Sequence, residues 1–226
     1  MPTREPIALS WSGGKDSTLA LAALRADPTY EVAALLTSVT RGYDRISIHG
    51  VRRTLLEAQV KAVGLPLYEV VLEPSSSNEA YETAFRDGVD ALRADFPALR
   101  KIAFGDLFLE EVRAYREQLL GRLGLEGVFP LWGLDTRELA RRFVRDGYQA
   151  HLVCVDTTQL GGEFAGRALD ASLIADLPAT ADPCGERGEY HSFVWDGPVF
   201  ATPVPVVRGE IVLRDGRFAY CDLLKS

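Results

Sequence analysis

The stretch Ser12-Gly13-Gly14-Lys15-Asp16-Ser17 follows directly on the apolar run Ile7-Ala8-Leu9 and leads into the helical pattern Leu19-Ala20-Leu21-Ala22-Ala23-Leu24. A strand, a glycine turn and a helix in that order aim several backbone N–H groups and a helix N-terminus at one point, which suits the phosphates of a nucleotide. The two glycines permit dihedrals and close approaches that a side chain blocks. Lys15 supplies charge, the hydroxyls of Ser12 and Ser17 bond phosphate oxygens, and Asp16 offers a carboxylate to a divalent cation held against them. The spacing excludes two relatives. No glycine stands at the first position of G-x-x-x-x-G-K-[ST], and G-x-G-x-x-G is missing as well.

Outward from this turn, short apolar runs alternate with amphipathic helical patterns. The runs are Ile7 to Leu9, Val32 to Val39, Leu67 to Leu72, Lys101 to Phe104 and Ala150 to Val155. Between them, helical spacing joins Val51, Leu55, Ala58 and Ala62; then Tyr81, Phe85, Val89 and Leu92; then Leu109, Val112, Arg116, Leu119 and Leu123. A further helix starts at Asp135-Thr136-Arg137-Glu138, an N-cap with its acidic partner three residues on, and stops at Gly147. Alternation of this kind predicts an α/β fold, a parallel sheet covered by helices on both faces. After residue 156 the pattern changes to one short helix, Leu169 to Leu177, and the β-like runs Ser192 to Trp195, Val199 to Thr202, Val206 to Leu213 and Phe218 to Leu223. Asp196-Gly197 and Asp215-Gly216 read as hairpin turns. The expected organisation is therefore a nucleotide domain over 1–156 and a small C-terminal α+β lobe with hairpins over 157–226.

The 226 residues suffice for a substantial core, and 47% hydrophobic composition excludes general disorder. The formal net charge of −7 argues against broad nucleic-acid binding. Three scattered cysteines, Cys154, Cys184 and Cys221, form no C-x-x-C pair, which points to a reducing compartment without a disulfide framework. No apolar run reaches membrane-spanning length and the first residues lack a signal-peptide pattern, so a cytoplasmic protein is expected.

In an open parallel sheet, ligands bind beyond the carboxyl ends of the strands. The residues there are Trp11-Ser12, Thr37-Ser38, Gly105-Asp106 and Asp156-Thr157. Gly105 allows a backbone to approach closely, and Asp106 either binds magnesium or a hydroxyl, or caps the following helix. His49, before the second helix, is a phosphate or substrate ligand or a structural residue. Arg113 and Arg116 either face the pocket or belong to a solvated charged face. Asp182-Pro183-Cys184-Gly185-Glu186-Arg187-Gly188-Glu189-Tyr190-His191 packs two glutamates, a histidine, a thiol and two glycines into ten positions. It reads either as acidic acceptors for an ammonium-like nucleophile or as a charged loop entering a strand; Cys184 is a nucleophile or a buried spectator thiol.

The S-G-G-x-D-S string resembles the PP-loop of the ATP pyrophosphatases. Together with Phe104-Gly105-Asp106-Leu107 through Phe129-Pro130-Leu131-Trp132, and Cys184-Gly185-Glu186-Arg187-Gly188-Glu189-Tyr190 through Asp196-Gly197-Pro198, it is similar to the diphthine–ammonia ligase family over nearly the whole chain. The resemblance implies an adenine nucleotide alpha hydrolase-like, Rossmann-like fold that uses ATP and Mg2+. It places the phosphates on Ser12 to Ser17 and adenine near Leu35-Leu36, with Trp11, Gly105 and Asp106 also at the nucleotide. Metal would lie on Asp16 and Asp106, and catalysis would involve Lys15, Asp16, Glu186 and Glu189. Acceptor contacts would fall on His49, Arg113, Gly185, Glu186, Gly188, Glu189 and His191. The implied reaction activates a carboxylate as its adenylate, with loss of pyrophosphate, and amidates it with ammonia. The acceptor would be diphthine on elongation factor 2, another protein carboxylate or a small molecule. The chain departs from the family pattern at Phe108 to Arg113 and at His191-Ser192, both expected beside the acceptor. Two other readings are a tRNA-modifying PP-loop enzyme, for which paired cysteines are missing, and a non-catalytic adenine-nucleotide sensor.

Overall fold

The computed structural model describes residues 4–42, 45–46, 50–74 and 76–226. Its elements run β1 (Glu5–Ser10), α1 (Lys15–Ala26), β2 (Tyr30–Thr40), β3 (Arg45–Ile46), α2 (Arg53–Val63), β4 (Leu67–Leu72), α3 (Asn78–Asp95), β5 (Lys101–Ala103), α4 (Glu110–Arg122), β6 (Glu126–Val128) and α5 (Thr136–Arg145). There follow β7 (Gln149–Asp156), a 3₁₀ turn (Gly162–Phe164), α6 (Ala171–Asp176), β8 (Tyr190–Asp196), β9 (Val206–Arg214) and β10 (Phe218–Lys225).

Five parallel strands lie in the order β4-β2-β1-β5-β6, and β3 adds an antiparallel pair at Val39 and Thr40. The chain builds outward from β1 to β4, then crosses back to lay β5 on the other side of β1. The crevice outside the ends of β1 and β5 is thus a topological switch point, where open α/β sheets bind ligands. Period-two alternation covers both faces. Ile7 and Leu9 of β1 join the core with α1 and α2, whereas Ala8 faces the cluster of Phe85, Val89, Leu92, Leu119 and Leu120 from α3 and α4. The cap signal at Asp135 acts as read, accepting from the Glu138 amide at the start of α5, and Ser77 caps α3 by accepting from the Ala80 amide.

A second, antiparallel sheet has the order β8-β7-β10-β9. The run Ala150 to Val155, expected to end the parallel sheet, is instead a central strand here, paired with β8 and β10. A continuous apolar run fits the interior of either sheet, so its composition does not choose between them. The second sheet accordingly draws on residues on both sides of 156. Val199 to Thr202 is not a strand: its amides turn away, Phe200 to Gly197 and Ala201 to Ala62 in α2, and Pro198, Pro203 and Pro205 flank it. Asp196-Gly197 therefore makes no hairpin, because β8 and β9 are not neighbours. Asp215-Gly216 does, with φ of 52° and 61° at the tip joining β9 to β10.

Candidate functional site

The loop after β1 is held by groups far away in sequence. Trp11 is 1% exposed; its amide donates to the Leu36 carbonyl, its own carbonyl accepts from the Thr37 hydroxyl, and its indole N–H donates to Gln59 Oε1 at 2.8 Å. Gln59 of α2 is fully buried, and its Nε2 donates to the carbonyls of Gly13 (3.0 Å) and Val194 (2.6 Å). Gly13 has φ of +76°, and a Cβ there would meet Gln59 Oε1 at 2.6 Å, so glycine is required twice over. The β8 edge completes the clamp. The Val194 amide donates to the Gly13 carbonyl at 2.9 Å, and Ser192 Oγ accepts the Lys15 amide at 3.1 Å. An unpaired strand edge is thereby used to shape the loop.

Within the loop, Ser12 Oγ accepts the Gly14 amide at 3.3 Å and lies 3.2 Å from Ser17 Oγ; Ser17 Oγ bonds the Gly14 carbonyl. Helix α1 starts at Lys15; its N-cap, Gly14, has no side chain to bond the amides that follow, and the Lys15 amide goes to Ser192 Oγ. A helix N-terminus of this kind favours an anion. The Lys15 side chain is only 2% exposed, its Nζ 2.7 Å from Asp16 Oδ1 and bonded to the Cys184 carbonyl. Burial opposes the ammonium charge, but the Asp16 carboxylate outweighs it and holds the pKa above the ordinary lysine value. Enclosure raises the Asp16 pKa, against the pull of Lys15 and with a further push from Asp106. Close by, Gly105 packs directly on the first turn of α1: a Cβ would meet the Asp16 carbonyl carbon at 2.8 Å.

Asp106 does not cap α4, whose N-cap is Leu109. Both its oxygens are held by the Arg116 guanidinium, at 2.5 and 3.1 Å, and that guanidinium stacks on Phe104 at 4.4 Å. Arg113 lies instead against Phe129 and Trp132, 4.8 and 4.7 Å from their ring centres, and pairs with Glu117.

The segment 182–191 folds over the crevice. Glu186 accepts the Leu107 amide at 2.8 Å, linking this segment to the loop after β5. Its pKa is pushed up to about 7, mainly by burial, with the Asp16 and Asp106 carboxylates adding to the shift. Glu189 faces the other way. It is 1% exposed, and its two oxygens accept the amides of Asp182 (2.7 Å) and Arg187 (3.0 Å). Expected at the acceptor, Glu189 is spent on shaping the turn, because a buried carboxylate must be matched by donors. Gly185, with φ of +67°, would bring a Cβ to 2.8 Å from the Tyr190 carbonyl; Gly188 has φ of +86° with open space around it. Cys184 is buried, its thiol donates to the Thr136 carbonyl, and burial pushes its pKa up to about 12, which favours the spectator reading. His191 on β8 is driven down to about 4 by burial and the Lys15 charge.

Two further expectations are corrected. Leu35 and Leu36 are 0% and 2% exposed inside the sheet; the Leu35 amide bonds the Pro66 carbonyl and the Leu36 carbonyl takes the Trp11 amide, so neither group is free for adenine. Trp11, 1% exposed and bonded to Gln59, supports the loop from beneath. His49 lies outside the described residues. Asp156 is tied to Arg217 in the second sheet, and this ion pair together with bonds from Thr158 and Gln159 keeps its carboxyl below the usual range. The groups that sequence reading missed are Gln59 and the Ser192 hydroxyl as a loop clamp. One trace of Gln59 is visible: it falls on the buried stripe of α2 with Leu55, Leu56, Ala62 and Val63.

Comparison with known proteins agrees with this arrangement. Residues 5–127 match the model of the diphthamide synthase N-terminal domain, and residues 135–225 that of the diphthamide synthase C-terminal domain. The diphthine–ammonia ligase of Schizosaccharomyces pombe is 27% identical over 218 residues, covering 89% of this chain and 36% of that protein. The Homo sapiens protein of the same name is 25% identical over 172 residues (70% of this chain, 64% of that protein), and the Rattus norvegicus one 24% over 234 residues (92% and 85%). The chain thus spans only about a third of the yeast relative and just under two thirds of the human one. With both family models aligned in order over most of its length, the chain belongs to the diphthamide synthase family.

Proposed function

We propose that this protein is an ATP-dependent ligase that adenylates a carboxylate, releases pyrophosphate, and forms an amide with ammonia. The observation that carries the reading is the S-G-G-K-D-S loop at the switch point, with a buried lysine at the N-terminus of α1. Relatives named diphthine–ammonia ligase support it. The acceptor we infer is a carboxylate on a protein, diphthine on elongation factor 2 if this chain shares that activity.

The residues present fit both ligands. The glycines at 13 and 105 keep backbone close where a Cβ would clash, and the N-terminus of α1 suits phosphate oxygens. Magnesium usually takes one or two carboxylates plus phosphate and water; Asp16, about a third exposed, fits that part, with Glu186 and Asp106 acting on it electrostatically. When bound, magnesium would neutralise triphosphate charge. Lys15 would exchange its pairing with Asp16 for a phosphate oxygen, which frees the carboxylate. The loop amides and Lys15 would then offset the charge growing on the departing pyrophosphate. Asp106 would keep Arg116 oriented at the crevice rim. Glu186, whose pKa of about 7 keeps a carboxylate available near neutral pH, would in that form take a proton from ammonium and hold the resulting ammonia beside the activated carboxylate.

The test is ATP labelled at the α-phosphate, incubated with magnesium, ammonium and diphthine-bearing elongation factor 2. AMP and pyrophosphate formed only with the full set support the reading; ADP and orthophosphate, or bound unchanged ATP, would reject it.

A further inference from the structure

We propose that the groove between α5 and α6 docks an acidic, apolar-studded segment of the acceptor protein. The inference rests on the amidation reading above and adds the surface that recognises the acceptor.

The groove encloses about 500 Å³. Arg137, Arg141 and Arg145 of α5 line one side at successive i, i+4 positions, which brings them onto one helix face. Val144, Ile174 and Leu177 supply an apolar floor. Arg145 is engaged with Glu138 at 3.1 Å, but among the described residues neither Arg137 nor Arg141 has a carboxylate within ion-pairing distance. In a chain whose formal net charge is −7, this stripe runs against the general balance and creates a local positive field. Carboxylates would pair with the guanidinium forks while aliphatic side chains filled the floor.

The position adds a second argument. Ala181 and Pro183 form part of the groove wall, and the next carbonyl, that of Cys184, accepts from Lys15 Nζ. Thr136 at the start of α5 bonds the same turn through Asp182 (2.8 Å) and the Cys184 thiol (3.2 Å). The groove is therefore the outer side of the turn whose inner side holds the catalytic lysine. A segment seated there would present a neighbouring residue to the crevice at high effective concentration. An acidic peptide fits better than nucleic acid, because no aromatic ring lines the groove for base stacking.

The test pairs Arg137→Glu/Arg141→Glu with Arg142→Glu, a charge reversal on the same helix at a residue paired with Asp146 and outside the groove. In the ligase assay, the double variant should raise KM for elongation factor 2 about tenfold or more while KM for ATP stays within about twofold; Arg142→Glu should change neither. In a binding assay, a fluorescein-labelled peptide of repeating Glu and Leu should bind the wild-type chain in a salt-sensitive way and the double variant far more weakly. Equal acceptor KM in the double variant, equal loss in Arg142→Glu, no peptide binding by the wild type, or an RNA hairpin that binds where the peptide does not would each overturn the proposal. If the wild type makes no AMP with any acceptor, the amidation reading fails, and the peptide assay still decides the groove.

Discussion

Gln59→Ala should disarm the nucleotide loop from a distance. The substitution removes the acceptor of the Trp11 indole N–H and the donor to the Val194 carbonyl, both in fully buried surroundings. The Gly13 carbonyl loses one partner but keeps the Val194 amide at 2.9 Å. Two stranded buried groups at about 1–3 kcal/mol each amount to roughly 2–6 kcal/mol. For a chain of this size each kcal/mol lowers the melting temperature by about 2–4 °C, so a fall of about 4–24 °C is expected by thermal unfolding. ATP-dependent AMP formation should drop more than stability alone explains, since the loop would no longer be fixed at Gly13. Gln59→Glu refines the test. It keeps an acceptor for Trp11 but sets carboxylate oxygen against two carbonyls, and should be at least as damaging. A Gln59→Ala protein that melts within about 2 °C of wild type and turns over ATP normally would refute the clamp.

Other substitutions probe the rest of the site. Gly105→Ala should lower stability by about 1–3 kcal/mol and impair ATP binding, measured by denaturation and calorimetry, because the new Cβ meets α1 backbone rather than a side chain that can move. Asp16→Ala should abolish AMP formation with the fold intact, as read by circular dichroism beside the turnover assay. Glu189→Ala should act through folding: the buried Asp182 amide and the part-buried Arg187 amide lose their acceptor, for about 1–4 kcal/mol, and reduced activity should track the unfolded fraction. For Glu186 the native pKa of about 7 exceeds the ordinary 4.5, so the folded state holds a proton that the unfolded chain has released between those values. Its contribution to stability is present below pH 4.5 and lost as pH rises towards 7. Glu186→Gln should flatten that part of the pH–melting curve, and an unchanged slope would contradict the assignment.

What the sequence made legible was local. The strand–glycine–helix order around Ser12 to Ser17, the cap at Asp135, and the Asp215-Gly216 hairpin each depend on a few neighbouring residues, and each stands as read. The parallel sheet followed from alternation. The fate of Ala150 to Val155 did not, since an apolar strand looks the same in either sheet. Glu186 and Glu189 differ in which way they point, and a spacing of three residues in a loop does not disclose that. The clamp on Gly13 joins positions 46 and 181 residues further along the chain, Gln59 and Val194, so only the folded chain brings it together.

The central claim is that an acceptor carboxylate attacks the innermost phosphorus of ATP held on this loop. Supplying an acceptor whose carboxylate carries a heavy oxygen isotope tests it most directly. The account predicts that one labelled oxygen appears in the phosphate of the AMP released. AMP whose new oxygen comes from solvent, or labelled orthophosphate beside ADP, would contradict it.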